Sequence, residues 1–154
     1  MTNTPTLNPQ VLGQAENAHR ALLDRLLAQD GIEYGEWVVL AITAAAAGHL
    51  QRETLVERIT STQQIEDSVA MQRVAKLTEA GLLEVLEGSA VALSETGLAR
   101  YREARRSIDD VMVRVYANIA TEELATAGRV LTLVTAQAVA ELALLRDLAT
   151  DRDA

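Results

Sequence analysis

The sequence predicts a mostly α chain with one small β-hairpin set between two of its helices. Three observations carry this. The hydrophobic content is 49%, yet Phe is absent and aromatics are only 3%, so Ala, Leu and Val must build the interior, as in helix-rich folds. Apolar residues recur at helical spacing over most of the 154 residues. The period changes to two only at Leu83, Val85, Val91 and Leu93, around a Glu87-Gly88-Ser89 turn.

Residues 1–7 are small and polar and are expected to be disordered. Asn8 is a good N-cap and Pro9 suits the first helical position, so a first helix should run to about Gln29, within a segment 8–30. Leu12, Ala15, His19, Leu22, Leu23, Leu26 and Leu27 give it a stripe too wide for one small lobe to cover, which points to burial against a second subunit as well. A lobe from 33 to 94 follows. Its first helix is expected from Tyr34 to Ala47, anchored by Trp37, Leu40 and Ile42 and closed by Gly48. The next should start near Gln51 with Leu55, Val56 and Ile59 inward. Thr60-Ser-Thr-Gln-Gln64 is either a long link or an extension of that helix. A helix over Gln64–Ala80 carries Ile65, Ala70, Val74 and Leu77 on one face, and Gly81 can end it. After the hairpin, Ser94 can cap a helix from Glu95 to Ile119, with Gly97 in its first turn. A break near Asn118 precedes a last helix, with Thr121 as N-cap and Glu122 and Glu123 at its positive start. Leu131, Val134, Ala138, Leu142 and Leu145 form its stripe to about Leu148. Residues 95–148 thus form a helical segment and 149–154 a tail.

The ending Leu77-Thr-Glu-Ala-Gly-Leu-Leu83, then a hairpin, then Leu93-Ser-Glu-Thr-Gly97, resembles the winged helix-turn-helix of MarR-type transcriptional regulators. The family pattern L-x-x-x-G-L-V is met by Leu77, Gly81, Leu82 and Leu83, and L-T-x-x-G by Leu93, Ser94 and Gly97. In element order the resemblance covers about Leu12 to Leu145. It implies a winged helix-turn-helix with a helical dimerisation domain built from the N- and C-terminal helices. It also implies a homodimer that binds double-stranded DNA as a repressor, with the helix ending at Ala80 in the major groove; a cytoplasmic location is the default expectation, because neither a signal peptide nor a membrane run is read. Release by a small aromatic or anionic effector is implied in the same way. The chain departs from the family in its wing. The usual Asp-x-Arg is missing, and Leu83-Glu-Val-Leu-Glu-Gly-Ser-Ala-Val-Ala-Leu93 holds no cation, so minor-groove reading by an arginine is not carried over.

Composition narrows the chemistry further. No cysteine is present, which removes disulfides, zinc–thiolate sites and thiol redox sensing. No unbroken run reaches the roughly 18 apolar residues of a membrane span, and the start lacks the basic and apolar regions of a signal peptide. No membrane partner is therefore expected. There is no phosphate loop, nucleophile motif or clustered ligand set, so neither an enzyme, a cofactor nor a metal is expected. The net charge of −8 runs against phosphate binding. From Gln51 to Ser94 the cations Arg52, Arg58, Arg73 and Lys76 face Glu53, Glu57, Glu66, Asp67, Glu79, Glu84 and Glu87, a net −3 in the lobe that would meet DNA.

The candidate DNA-binding residues are Arg52, Thr62, Gln63, Ser68, Gln72, Arg73 and Lys76. Gln reads adenine bidentately, Arg reads guanine or phosphate, and hydroxyls and amides hold phosphate. Asp67 would oppose them. Arg102, Arg105 and Arg106 share a helix face, with an ion-paired surface involving Glu103, Asp109 and Asp110 favoured over DNA contact. His19, Arg20, Trp37, Tyr101 and Met112 are the candidates for an effector crevice, against ordinary packing for each. Two functions stay open: DNA-binding control, and a winged-helix protein with lost or weak DNA binding that acts through a protein partner.

Overall fold

Asn8 does cap the first helix: its Oδ1 accepts from the Val11 N–H at 3.0 Å in the computed structural model, which describes residues 6–152, with side chains through Leu148. The disorder expected of residues 1–5 lies outside the described residues. The chain divides into two compact units, Met1–Val111 and Met112–Ala154.

The first unit carries α1 (Pro9–Gln29), α2 (Tyr34–Ala45), β1 (Leu50–Gln51), α3 (Arg52–Gln63), α4 (Asp67–Glu79), β2 (Leu83–Val85), β3 (Ala90–Leu93) and most of α5 (Glu95–Tyr116). The three strands form an antiparallel sheet in the order β1-β3-β2. Leu83 pairs with Leu93, Val85 with Val91, and Leu50 also with Val91. Leu27, Val39, Leu40, Leu55, Ile59, Val74, Leu77 and Val91 are the fully buried centre of this unit. They come from α1, α2, α3, α4 and β3, so the lobe closes around side chains no single element could bury alone.

Several sequence expectations shift here. The two-residue β1 was not foreseen, because a strand so short has no period to read. The hairpin alternation does not map onto burial. Val85 is exposed, whereas Ala90, Val91 and Ala92 are all buried. As the central strand, β3 is flanked on both sides and covered by helices, which buries both of its faces. The stretch Thr60–Gln63 is an extension of α3 and not a loop. Gln64 takes a left-handed conformation with φ 52° and ends that helix, so α4 begins at Asp67 and not at Gln64. Helix α2 stops at Ala45, two residues early, and α5 stops at Tyr116 and not Ile119.

The junction between the wing and α5 is tightly built. Ser94 Oγ accepts from the Gly97 N–H at 2.9 Å and donates to the Gly81 carbonyl at 2.6 Å, while the Ser94 N–H donates to the Leu82 carbonyl at 3.1 Å. Gly97 is needed there because the backbones nearly touch. A Cβ at that position would lie 1.9 Å from the Leu82 carbonyl oxygen. Gly88 turns the hairpin with φ +70°, as the sequence anticipated.

The second unit holds the end of α5 and α6 (Thr121–Arg152). Thr121 is the first helical residue and not the cap. Ala120 holds the cap position, and its N–H donates to Glu123 Oε2 at 3.3 Å. Helix α6 also runs past Leu148. By length and average composition Thr121–Leu148 is apolar enough to cross a membrane, which an unbroken-run criterion missed. The interrupting Thr132 and Thr135 return their hydroxyls to the carbonyls of Gly128 and Leu131, which lowers the polar cost they bring. Much of this unit's apolar surface is uncovered: Val113 is 70% exposed, and Leu133, Leu144, Leu145 and Leu148 are similarly open.

Candidate nucleic-acid interface

Helices α3 and α4 are joined by Gln64, Ile65 and Glu66, with the Ile65 N–H donating to the Thr60 carbonyl. Ala70, Val74 and Leu77 recur at helical spacing and are buried, which turns the rest of α4 outward. Asp67, Ser68, Met71, Gln72, Lys76 and Glu79 occupy that outer side. The hairpin that follows carries Glu84 on β2 and Glu87 in its turn, both exposed.

The two cations of α4 are engaged within the protein. Lys76 Nζ lies 2.6 Å from Glu36 Oε1 and 3.2 Å from Glu33 Oε1, both on the entry to α2. Glu36 is mostly buried and also accepts from the Glu33 N–H at 3.0 Å. Burial alone would raise the Glu36 carboxyl's pKa. The Lys76 hydrogen bond, the Glu33 N–H and the Lys76 charge outweigh it and hold the group below the usual carboxylate value. The hydrogen bonds that Lys76 donates to Glu36 and then Glu33 raise its ammonium pKa in turn. Arg73 is half-buried. Its guanidinium donates to Gln63 Oε1 and packs on the backbone of Gly35, where a Cβ would meet the guanidinium carbon at 2.6 Å. It therefore braces the α3–α4 junction against the start of α2. Neither cation projects freely toward phosphate, contrary to what the polar face of the sequence alone implied.

Among the other sequence candidates, Ser68, Gln72, Thr62 and Arg52 are exposed, and Gln63 is committed to Arg73. Sequence reading missed Glu33, Glu36 and Gly35. The Glu33-x-x-Glu36 spacing at a helix entry was the only available signal, since acidic residues favour that end.

The effector candidates separate. Trp37 and Tyr101 stack with centroids 5.2 Å apart and planes at 16°, so each covers a face of the other. Arg20 lies 3.5 Å over the Tyr34 ring, with its Nη1 buried and lacking a hydrogen-bond partner. His19 is half-buried, and Met112 belongs to the second unit. On α5, Arg105 pairs with Asp109 at 2.9 Å, the ion-paired surface that the sequence favoured, and this bond raises the guanidinium further. Among the described residues no three His, Asp or Glu side chains converge as metal ligands would.

Comparison with solved structures settles the architecture. The reduced form of MarR from E. coli superposes with a TM-score of 0.65 at 18% identity, covering 87% of this chain and 97% of that one. The chain has the MarR-type winged-helix fold. CouR from Rhodococcus jostii RHA1, solved with p-coumaroyl-CoA, matches with a TM-score of 0.72 at 17% identity over 81% of this chain and 89% of its own. A MarR-family protein of Mycobacterium tuberculosis in complex with DNA matches at 0.64 and 17% identity, over 84% and 98%. No family sequence model and no curated protein matches the chain. In this MarR-type lobe, α3 and α4 form the helix-turn-helix and β2–β3 the wing.

Proposed function

We propose that the protein is a DNA-binding transcriptional regulator that works as a homodimer, with α4 as its recognition helix. The observation that carries this reading is the outer face of α4, where Ser68 and Gln72 are exposed on a helix whose other side is locked into the lobe by Ala70, Val74 and Leu77. A rigid helix with a polar outer face is what major-groove reading needs. The fold it shares with a DNA-bound protein supports this. In this reading Gln72 approaches base edges, and Arg52 and Thr62 approach phosphates. The uncovered apolar side chains of α6 support a second copy as their cover, because a soluble monomer rarely leaves so large an apolar surface open. The regulatory form we attach is repression with release by a small aromatic or anionic effector, in line with the ligand named for CouR. Such an effector would act by favouring a dimer whose recognition helices are wrongly spaced.

A second reading has its own support. With Lys76 held by two carboxylates and Arg73 by Gln63, the α4 face keeps Asp67 and Glu79 but no cation clear of an internal partner. That pattern suits a winged-helix protein that meets another protein. Selection of bound duplexes from fragmented genomic DNA, followed by anisotropy titration at low salt, separates the two. Enrichment of one sequence, with loss of preference in Gln72→Ala, establishes the first reading. No duplex binding by the parent protein establishes the second.

A further inference from the structure

The face of α3 that lies toward the start of α4 carries a groove of about 410 Å³, lined by Arg52, Glu53, Val56, Glu57, Asp67 and Met71, with Thr60 beside them. Val56 and Met71 supply an apolar floor, and Met71 is 46% exposed on a helix whose other apolar residues are mostly inward. Glu53, Glu57 and Asp67 supply carboxylates, and among the described residues none of the three has an ion-pair partner. Arg52 is the single cation in the lining.

We propose that this groove is a docking site for a basic amphipathic segment of another protein. The combination decides the occupant. Three unpaired carboxylates repel phosphate and favour cations. The apolar floor between them accepts an aliphatic side chain or the stem of a Lys or Arg, whose charged head then reaches the rim. A helix that presents Leu on one side and Lys or Arg beside it satisfies both needs at once. An acidic or purely polar segment satisfies neither. Methionine suits such a surface because its flexible, polarizable side chain adapts to different apolar partners. The groove shares Arg52, Asp67 and Met71 with the face that would meet DNA, so the proposal rests on the second reading, in which this lobe meets a protein and not a duplex.

The test uses the full-length protein and two synthetic amphipathic helical peptides, one of Lys and Leu and one of Glu and Leu. Peptide binding is followed by anisotropy, and backbone amide shifts are followed by NMR. The Lys–Leu peptide should bind, shift the amides of residues 52–60 and 67–71, and leave those of the hairpin tip unmoved. The Glu–Leu peptide should not bind. The double variant Glu53→Gln/Glu57→Gln should weaken the Lys–Leu peptide about twofold to thirtyfold, the range for two exposed ion pairs. The double variant Glu95→Gln/Glu103→Gln removes the same charge from α5 and should change affinity less than twofold. Met71→Ala should weaken binding at high salt as well as low, since its contribution is apolar. All replaced side chains are at the surface, and circular dichroism confirms that each variant is folded. Equal weakening by the two charge-neutralised variants would reduce the effect to net charge and overturn the site. Amide shifts in the groove on titration with a duplex, and none with the Lys–Leu peptide, would overturn it in favour of nucleic acid.

Discussion

Gly97→Ala offers a test in which helix propensity and packing have opposite signs. In a helix interior Ala is better than Gly by about 1 kcal/mol, so a local argument expects the variant to gain stability. The structure expects a loss. The added Cβ would lie 1.9 Å from the Leu82 carbonyl oxygen and 2.8 Å from its carbon, so backbone must move by more than an ångström. A flexible side chain could swing away from such a clash, but a carbonyl in use cannot. The Leu82 carbonyl accepts from the Ser94 N–H, and Ser94 Oγ bonds Gly81 in the same junction. Overpacking of this kind costs about 1–3 kcal/mol, and each hydrogen bond disturbed adds about 1 kcal/mol. After subtracting the propensity gain, the expected net loss is about 1–4 kcal/mol. For a chain of this size each kcal/mol shifts Tm by roughly 2–4 °C or somewhat more, so a fall of several degrees is expected in a thermal melt. Gly128→Ala on α6 is the reference, because nothing lies within 4 Å of its added Cβ. It should leave Tm unchanged or raise it. A Gly97→Ala variant as stable as Gly128→Ala would show that the wing and α5 do not meet as described.

Four further assays have expected outcomes. Gly88→Val should cost about 1–3 kcal/mol in chemical denaturation, since a β-branched residue resists the +70° φ of the hairpin turn. Glu36 has a native pKa below its ordinary value, so its contribution is complete above the ordinary carboxylate pKa and is lost as pH falls through the lowered one. Melts across pH should therefore show the parent more stable than Glu36→Gln near neutrality and the two curves converging in acid. In duplex titrations at low salt, Asp67→Ala should tighten non-specific binding by removing an anion from the α4 face, and Gln72→Ala should cost about 1–3 kcal/mol on the preferred site if its contact is bidentate. Light scattering at micromolar concentration should show a dimer, with unfolding midpoints that rise with protein concentration.

The sequence by itself determined what short-range chemistry controls. Asn8 with Pro9 set the start of α1, Ser94 that of α5, and Gly88 the hairpin turn. The apolar spacing of Ala70, Val74 and Leu77 set which side of α4 faces inward, and the order of helices and hairpin followed from the same periodicities. Each of these depends on neighbours within a few residues along the chain. The tertiary structure alone decided the rest. Lys76 and Arg73 look available on a helical projection, but Glu33, Glu36 and Gly35, about forty residues earlier, arrive beside them only after α2 packs against α4. Gly97 reads as a poor helix residue until the Leu82 carbonyl is brought against it. The short β1 exists because β3 offers it an edge, and β3 is buried on both faces because it became the central strand. Side-chain commitment and backbone approach depend on through-space distance, and the linear pattern carries that distance only for residues a turn or a hairpin apart.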